Sequence, residues 1–145
     1  MNTSRETIYA ALFAKFAAVP GIITRSRKLE HWTDVVSSRQ PALFQAQRNE
    51  TPGQVQRLPA KWSLRADIYL YVHTGEGTDT VSSTLMNPLV DAIEAALAPD
   101  PLTEMQDLGL PGVVSHCWIA GTIETDEGVL GPQGVAIIPV EILAV

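Results

Sequence analysis

The run from Lys61 to Thr74, KWSLRADIYLYVHT, alternates between apolar and polar positions. Strict alternation predicts a β-strand with one apolar and one polar face, and two tyrosines, Tyr69 and Tyr71, lie on the polar face. These 14 residues reach roughly 46 Å as a strand, whereas a domain of this length is roughly 40 Å across. The strand must therefore bend, or project from the body and offer its end to a partner.

The N-terminal segment predicts a helix. Thr3 and Glu6 have the spacing of a capping box, and Pro20-Gly21 ends the helical pattern. One face of this helix carries a continuous apolar stripe: Ile8, Leu12, Phe16 and Val19. The segment resembles a secretory signal superficially, but charged residues interrupt its apolar run, so we assign it to the fold.

A second helix is predicted after Thr78 or Asp79, either of which can serve as its cap. Its apolar stripe includes Val81, Leu85, Leu89 and Ile93. Either Pro88 lies in an early turn with a kink, or Asn87 caps a helix that begins there.

The remaining pattern predicts four more strands, at 22–29, 41–48, 113–125 and 134–145. The last of these is apolar on both faces, so we place it inside the sheet, and Pro139 predicts a bulge or a locally unpaired side there. The polar segment Asn49–Ala60 reads as a long loop. The order α-β-β-β-α-β-β has too few helices for a doubly wound sheet. It predicts one α+β domain over residues 1–145, a mainly antiparallel sheet with two helices on one face.

Composition narrows the functional classes. The chain has 145 residues, of which 46% are hydrophobic, as expected for a globular domain. A net charge of −6 argues against a general nucleic-acid binder. The single cysteine excludes an intrachain disulfide and fits a reducing compartment. No apolar run approaches the ~20 residues that span a bilayer, so no membrane partner is expected.

Groups that could perform chemistry are few. His116 and Cys117 are adjacent, but neighbours along a strand point to opposite faces, which predicts a buried structural cysteine and not a thiol–imidazole dyad. The histidines and the cysteine do not have the spacing of a zinc site. Neither a nucleophile beside a base nor a phosphate-binding loop is recognisable. The sequence therefore predicts a protein that is not an enzyme, with no metal and no cofactor.

Several residues are candidates for contacts with other proteins. Arg25 and Arg27 share a strand face in the only basic cluster, although a solvated edge strand explains them equally well. Asp91 and Glu94 lie three positions apart on the second helix, where a solvated face is the alternative. The two tyrosines fit either an interface or packing beneath a neighbouring loop. The full set of candidates is Arg25, Arg27, Arg48, Glu50, Arg57, Lys61, Tyr69, Tyr71, Asp91 and Glu94.

A series of landmarks resembles the tail terminator, or tail completion, proteins of long-tailed bacteriophages of the lambda and Mu-like siphophage type. They run in order from the helix R-x-x-I-Y-x-x-L-F at 5–13 through R-x-R-x-L-x-x-W-x-D-V at 25–35 to Q-P-A-L-F at 40–44. The series continues with K-W at 61–62, L-x-D-A-I-E-x-A-L at 89–97, Q-x-L-G at 106–109, I-x-G at 119–121 and I-I-P-V at 137–140. These are landmarks of fold and packing and contain no chemical motif.

The resemblance implies a virion protein, made in the host cytoplasm, that forms a homo-hexameric ring on the finished tail tube. Such a ring would stop addition of tail tube protein and dock the head-side connector or stopper protein, while DNA passes through its lumen without specific binding. Arg25 and Arg27 would then face Asp91 or Glu94 of the next subunit. The alternatives are a head-side neck or stopper protein, a small cytoplasmic binding domain, and a hydrolase, since α+β folds host many activities.

Overall fold

Residues 61–73 form a long strand within a mixed six-stranded sheet, as their alternation predicts. The computed structural model describes residues 1, 3–54, 56–75, 79–128 and 131–145. Its helices are α1 (Arg5–Lys15) and α2 (Ser82–Ala96), with 3₁₀ turns at Phe16–Ala18, Trp32–Asp34 and Ser37–Arg39. Its strands are β1 (Thr24–Ser26), β2 (Ala42–Gly53), β3 (Lys61–His73), β4 (Val114–Ile119), β5 (Glu124–Asp126) and β6 (Gln133–Ala144).

The sheet order is β1-β2-β3-β6-β4, and β5 pairs with β6 on the side that β4 also occupies. Every pairing is antiparallel except that of β1 with β2. β6 pairs with β3 over its whole length, which confirms the predicted interior position of this strand. The predicted α+β class is likewise confirmed.

The main core lies between the helices and one face of the sheet. The even-numbered side chains of β3 supply its floor, and both helices cover that floor, as predicted. Fully buried members of this core are Ile8, Leu12, Phe16, Leu64, Ile68, Leu70, Ile93 and Ile138. Each such side chain contributes about 1.5–3 kcal/mol by burial, so this face fixes the helices on the sheet.

A smaller core lies on the opposite face, where residues 28–40 cross one end of the sheet. Val35 and Trp32 pack there with Phe44 and Tyr71. The Tyr71 hydroxyl donates a hydrogen bond to the carbonyl oxygen of Glu30 at 2.8 Å, and burial raises its pKa to about 12. Tyr71 therefore packs beneath a neighbouring segment, which was one of its two predicted roles.

The predicted loop Asn49–Ala60 is wrong over residues 49–53. β2 continues to Gly53 and pairs with β3 along its length, with a bulge between Gln47 and Glu50. The strand was missed because most of its side chains from 47 to 53 are exposed on both faces, which removes the apolar alternation. β1 is shorter than its predicted range of 22–29, since the chain leaves the sheet after Ser26 to cross the other face.

The single strand predicted at 113–125 is two strands, β4 and β5, separated by residues 120–123. The break lies opposite Pro139, which has no backbone N–H to donate. Ala120 N donates to Pro139 O at 3.0 Å. Gly121 follows with φ of 114°, a backbone conformation that side chains rarely adopt. The irregularity predicted at Pro139 is thus confirmed, and it divides the partner strand.

α2 begins later than predicted. It starts at Ser82, and Thr78 lies outside the described residues. Pro88 is inside one continuous helix, so the alternative start after Asn87 is wrong. The predicted stripe is also wrong at its beginning, because Val81 and Leu85 are exposed whereas Ser82 and Met86 are buried.

The caps of both helices differ from simple expectation. Ser4 Oγ, and not Thr3, accepts the capping hydrogen bond of α1, from Thr7 N at 3.2 Å. The N-cap residue of α2 makes no side-chain cap, and Glu127 Oε1 accepts from Ser83 N at 3.3 Å instead. A residue distant in sequence thus caps α2, which local motifs cannot reveal.

Candidate functional site

Each histidine makes a local structural contact. His31 Nδ1 lies 2.7 Å from Thr33 Oγ1. The Nδ1 atoms of His73 and His116 accept hydrogen bonds from the backbone N–H groups of Gly75 and Gln106, both at 3.0 Å. Cys117 is buried in the main core on the face opposite His116, and burial raises the pKa of its thiol to about 12. Such a thiol is inert at neutral pH, because the thiolate is the reactive form.

Among the described residues, no three histidine, cysteine, aspartate or glutamate side chains group together as a metal site would require. None of the described helices has the length and apolar character needed to span a bilayer. The features that distinguish this molecule are therefore its surfaces: the loop of the β2–β3 hairpin, a polar sheet face, two sheet edges and an acid-rimmed groove.

The hairpin formed by β2 and β3 is fastened to α1. Glu50 accepts hydrogen bonds from Arg5 Nε at 2.6 Å and from the Tyr9 hydroxyl at 3.0 Å. The Arg5 guanidinium also lies 4.8 Å from the ring centroid of Trp62, within cation–π range. Glu50 thus has an intrachain role three residues before the end of β2, whereas Arg57 and Lys61 are exposed at the loop end of the hairpin.

The sheet face opposite the helices is polar along its uncovered part. Arg65 Nη2 pairs with Glu141 Oε2 at 2.9 Å, and Ser63 Oγ donates to Glu141 Oε1 at 2.6 Å. Arg48 Nε pairs with Asp67 Oδ2 at 3.2 Å. Each of these arginines therefore lies beside a carboxylate of a neighbouring strand. We call this surface, Arg48, Ser63, Arg65, Asp67 and Glu141, the polar face.

Arg25 is committed within the subunit. Its guanidinium donates hydrogen bonds to the carbonyl oxygens of Phe16 at 3.0 Å, Val19 at 2.5 Å and Ile22 at 3.3 Å. Arg25 thus supplies donors to backbone carbonyl groups just beyond the end of α1. Arg27 pairs with Glu6 and also donates to Gln47 at 3.3 Å. The hydrogen bonds from Arg27 to the Glu6 carboxylate are the chief reason that the pKa of Glu6 is lowered.

Asp91 and Glu94 are brought together at one groove. The groove has a volume of about 650 Å³ and lies between α2 and the break between β4 and β5. Its other lining residues are all apolar: Ala95, Leu97, Ala98, Pro99, Trp118, Ile119 and Ile123. Both carboxylate side chains are exposed, so the groove combines an apolar floor with an acidic rim. We call it the acidic groove.

Tyr69 lines a second open groove of about 500 Å³ on the opposite face, together with Leu29, Trp32 and Ile137. Unlike Tyr71, it is only partly buried. Its ring packs against the smaller core beside Trp32 and Ile137, and part of its surface stays accessible.

The sheet has two open edges at the level of the hairpin. β1 pairs with β2 only at residues 42–44, so the outer side of β2 has no strand partner from Gln45 onward among the described residues. On the opposite side, β4 and β5 have β6 as their strand partner and, within the described chain, no other. Open edges of this kind are templates for pairing with another chain.

Sequence reasoning missed several members of these surfaces. Arg65 and Asp67 were recognisable, because both lie on the polar parity of β3 beside the two tyrosines. Glu141 and Trp118 carried no comparable signal, since their positions depend on the pairing of β6 with β3 and β4, which are distant in sequence.

Neither a protein-family model nor a curated protein matches this chain. Solved structures do resemble its fold. One is a chain from the virion of a native gene transfer agent particle, with a TM-score of 0.57 and 11% sequence identity, covering 93% of this chain and 92% of that one. A second solved chain gives a TM-score of 0.52 at 14% identity, covering 99% of this chain and 97% of its own length. At such identities the likeness establishes the shared fold.

Proposed function

We propose that this chain is a structural virion protein of a phage-like particle and that it acts as the tail terminator. The observation that carries the proposal is the fold shared, over almost the whole of both chains, with a component of a gene transfer agent virion. The order of sequence landmarks that resembles the tail terminator family points to the same role. The chain acts by assembly and not by catalysis, and it resides in the virion after synthesis in the host cytoplasm.

The strand directions support assembly into a closed ring. At the level of the hairpin, the order β2-β3-β6-β4 contains four strands, and each is antiparallel to the next. β4 therefore runs antiparallel to β2, so the two edges of the sheet have opposite strand directions and neighbouring copies can continue the alternation. Repetition of such a heterologous contact generates a ring where the rotation closes. We propose a homo-hexamer.

The polar face supports passage of DNA through such a ring without specific binding. If the helices lie outside, this face lines the lumen, and its arginines Arg48 and Arg65 are matched by Asp67 and Glu141. Because each arginine is paired with a carboxylate, this face has no uncompensated cations that would bind DNA phosphates tightly. It also has no excess of carboxylates that would repel them.

The exposed loop of the β2–β3 hairpin supports a contact with the tail tube protein. Arg57 and Lys61 are exposed at its tip, and Leu58 is 57% exposed beside them. In this mechanism the hairpin engages the last ring of tube protein. The opposite side of the terminator ring offers no surface that another tube subunit matches and instead receives the head-side connector or stopper protein. Termination is thus a geometric consequence of a different subunit at the growing end.

The test is electron microscopy of lysates from the parent phage with an early stop codon in this gene. We expect overlong tails of variable length beside separate DNA-filled heads, and normal tails when the intact gene is supplied from a plasmid. Tails of normal length that fail to join heads would contradict the terminator role and assign the protein to the head-side neck. Intact infectious particles would contradict any virion role.

A variant separates the hairpin contact from the fold. Arg57→Glu together with Lys61→Glu changes the tip without touching the anchors of the hairpin, Arg5, Tyr9 and Glu50. We expect loss of binding to isolated tail tubes with an unchanged free energy of unfolding. A double variant that binds tubes as well as the parent chain would exclude the tip as the contact.

A further inference from the structure

Charge is segregated along this chain. All 10 lysines and arginines lie within residues 1–65, together with four of the 16 carboxylate residues. The remaining 12 carboxylates lie within residues 66–145, which contain no lysine or arginine. The first part therefore carries a formal charge of +6 and the second −12. Blocks of opposite charge within one chain favour head-to-tail association of copies.

The fold converts this segregation into two opposed edges of the sheet. Arg25, Arg27 and Lys28 lie in or beside β1, the outermost strand on one side. Lys28 is exposed, and Ile23, just before β1, is 61% exposed. We call the surface of Ile23, Arg27 and Lys28 the basic edge.

The opposite edge is acidic. It consists of β5, which carries the exposed Glu124, and of the acidic groove beside it, with Asp91 and Glu94. Ile123 belongs both to the approach to β5 and to the floor of the groove. The two parts lie on different faces of the sheet. Glu124 lines a depression with Val135 and Ile137 and so lies on the face that residues 28–40 cross, whereas Asp91 and Glu94 lie on the helix side.

Strand directions allow the two edges to meet. β1 is parallel to β2, and β5 is antiparallel to β6, which itself runs parallel to β2 because both are antiparallel to β3. β5 of one copy and β1 of the next would therefore be antiparallel. They also lie at the same level, since β1 pairs with β2 near Leu43, and β5 pairs with β6 near Ala136, and both positions face Leu70 of β3.

We propose that β5 of one copy pairs with β1 of a second copy, with Lys28 beside the carboxylate of Glu124 on the sheet face that residues 28–40 cross. The proposal rests on the proposed ring and names the surface that closes it. It also separates the roles within the basic cluster: Arg25 holds the end of α1, whereas Lys28 and Ile23 make the contact between copies.

A charge exchange tests the pairing in cells that produce the complete set of particle proteins, so that the template for assembly is present. Glu124→Lys alone and Lys28→Glu alone should each reduce the yield of tails capped by this protein by roughly tenfold or more, because each places like charges together. The double variant should recover most of that yield. Glu104→Lys is the matched control, since it makes the same charge change on an exposed residue outside β5.

Engineered disulfides provide a direct readout that does not depend on tail length. Ser26→Cys with Glu124→Cys, and separately Thr24→Cys with Asp126→Cys, should each give a ladder of covalent oligomers after oxidation, while single-cysteine variants should give no species larger than a dimer. The native Cys117 is fully buried and does not compete.

The outcomes separate the two proposals. Capped tails of normal length with no ladder from either pair, and no rescue by the charge exchange, would overturn this interface and leave the terminator role standing. A ladder in cells where loss of the gene does not lengthen tails would support the contact between copies and reject the terminator role.

Discussion

Gly134→Ala should loosen α2 from the sheet. An added Cβ at Gly134 would lie 2.8 Å from Ser82 Cβ, 2.9 Å from Ser82 Oγ and 3.0 Å from Met86 Cε. Carbon atoms in contact are normally ~3.5–4.0 Å apart, so the helix and β6 would have to separate by roughly 0.7–1 Å. The nearest atom is Ser82 Cβ. Because its position is fixed by the backbone and no side-chain rotation can move it, the backbone must shift.

Overpacking of this kind costs about 1–3 kcal/mol. For a chain of this size the change corresponds to a loss of roughly 2–12 °C in Tm. The assay is urea unfolding followed by tryptophan fluorescence, with the free energy of unfolding compared at a constant dependence on urea. The same variant should shift the acidic groove, because α2 carries Asp91 and Glu94.

Two variants control this prediction. Gly128→Ala meets no heavy atom within 4 Å, so it should change the free energy of unfolding by less than about 0.5 kcal/mol. Ser82→Gly removes the opposing carbon, and combining it with Gly134→Ala should recover about 1 kcal/mol or more relative to the sum of the single changes. A Gly134→Ala protein as stable as the parent chain, or no coupling with Ser82→Gly, would refute the reasoning.

Three further predictions concern single side chains. Arg25→Met should lower the free energy of unfolding by about 2 kcal/mol in urea titrations, because three carbonyl oxygens each lose a hydrogen bond from the guanidinium. A stable Arg25→Met protein that fails to assemble would favour pairing of Arg25 across the ring instead. Cys117 should react with a disulfide reagent at pH 8 only after unfolding; rapid labelling of the folded protein would contradict its burial. The folded-state pKa of Tyr71 is raised to about 12 from 10.0, so its stabilising contribution is present below pH 10 and is lost as pH rises towards 12. Tyr71→Phe should flatten this part of the stability profile, and an unchanged slope between pH 10 and 12 would contradict the assignment.

Periodicity predicted the parts of the fold in which one face of an element is buried. α1 and β3 have one apolar and one polar side, so their burial follows directly from the order of residues. The far half of β2 could not be predicted, because neither of its faces is buried and pairing with β3 alone makes it a strand. The start of α2 was misplaced for a related reason: Gly134 accommodates a buried Ser82, and Glu127 supplies the cap from outside the helix.

The candidate residues divide in the same way. Charged residues looked equivalent in the sequence, but Arg25 and Glu50 prove to be held inside the subunit, whereas Arg57, Lys61, Asp91 and Glu94 are exposed. The distinction depends on contacts between residues far apart in the chain, such as that of Glu50 with Arg5 and Tyr9. The spacing of charges therefore indicated candidates for contacts with other proteins, but it could not indicate which of these charges are available to partners.

The strand that pairs along the full length of β3 is the last one in the chain. β6 joins β3 to β4 and β5 and is translated after all of them, so a chain that stops before Gln133 leaves both sides of the sheet without their common neighbour. Such a fragment cannot carry the basic edge and the acidic groove on one folded body. We therefore expect prematurely terminated products to be degraded and not to enter rings as defective members. Nonsense alleles in this gene should accordingly be recessive to the intact copy, whereas charge reversals at the edges should be dominant.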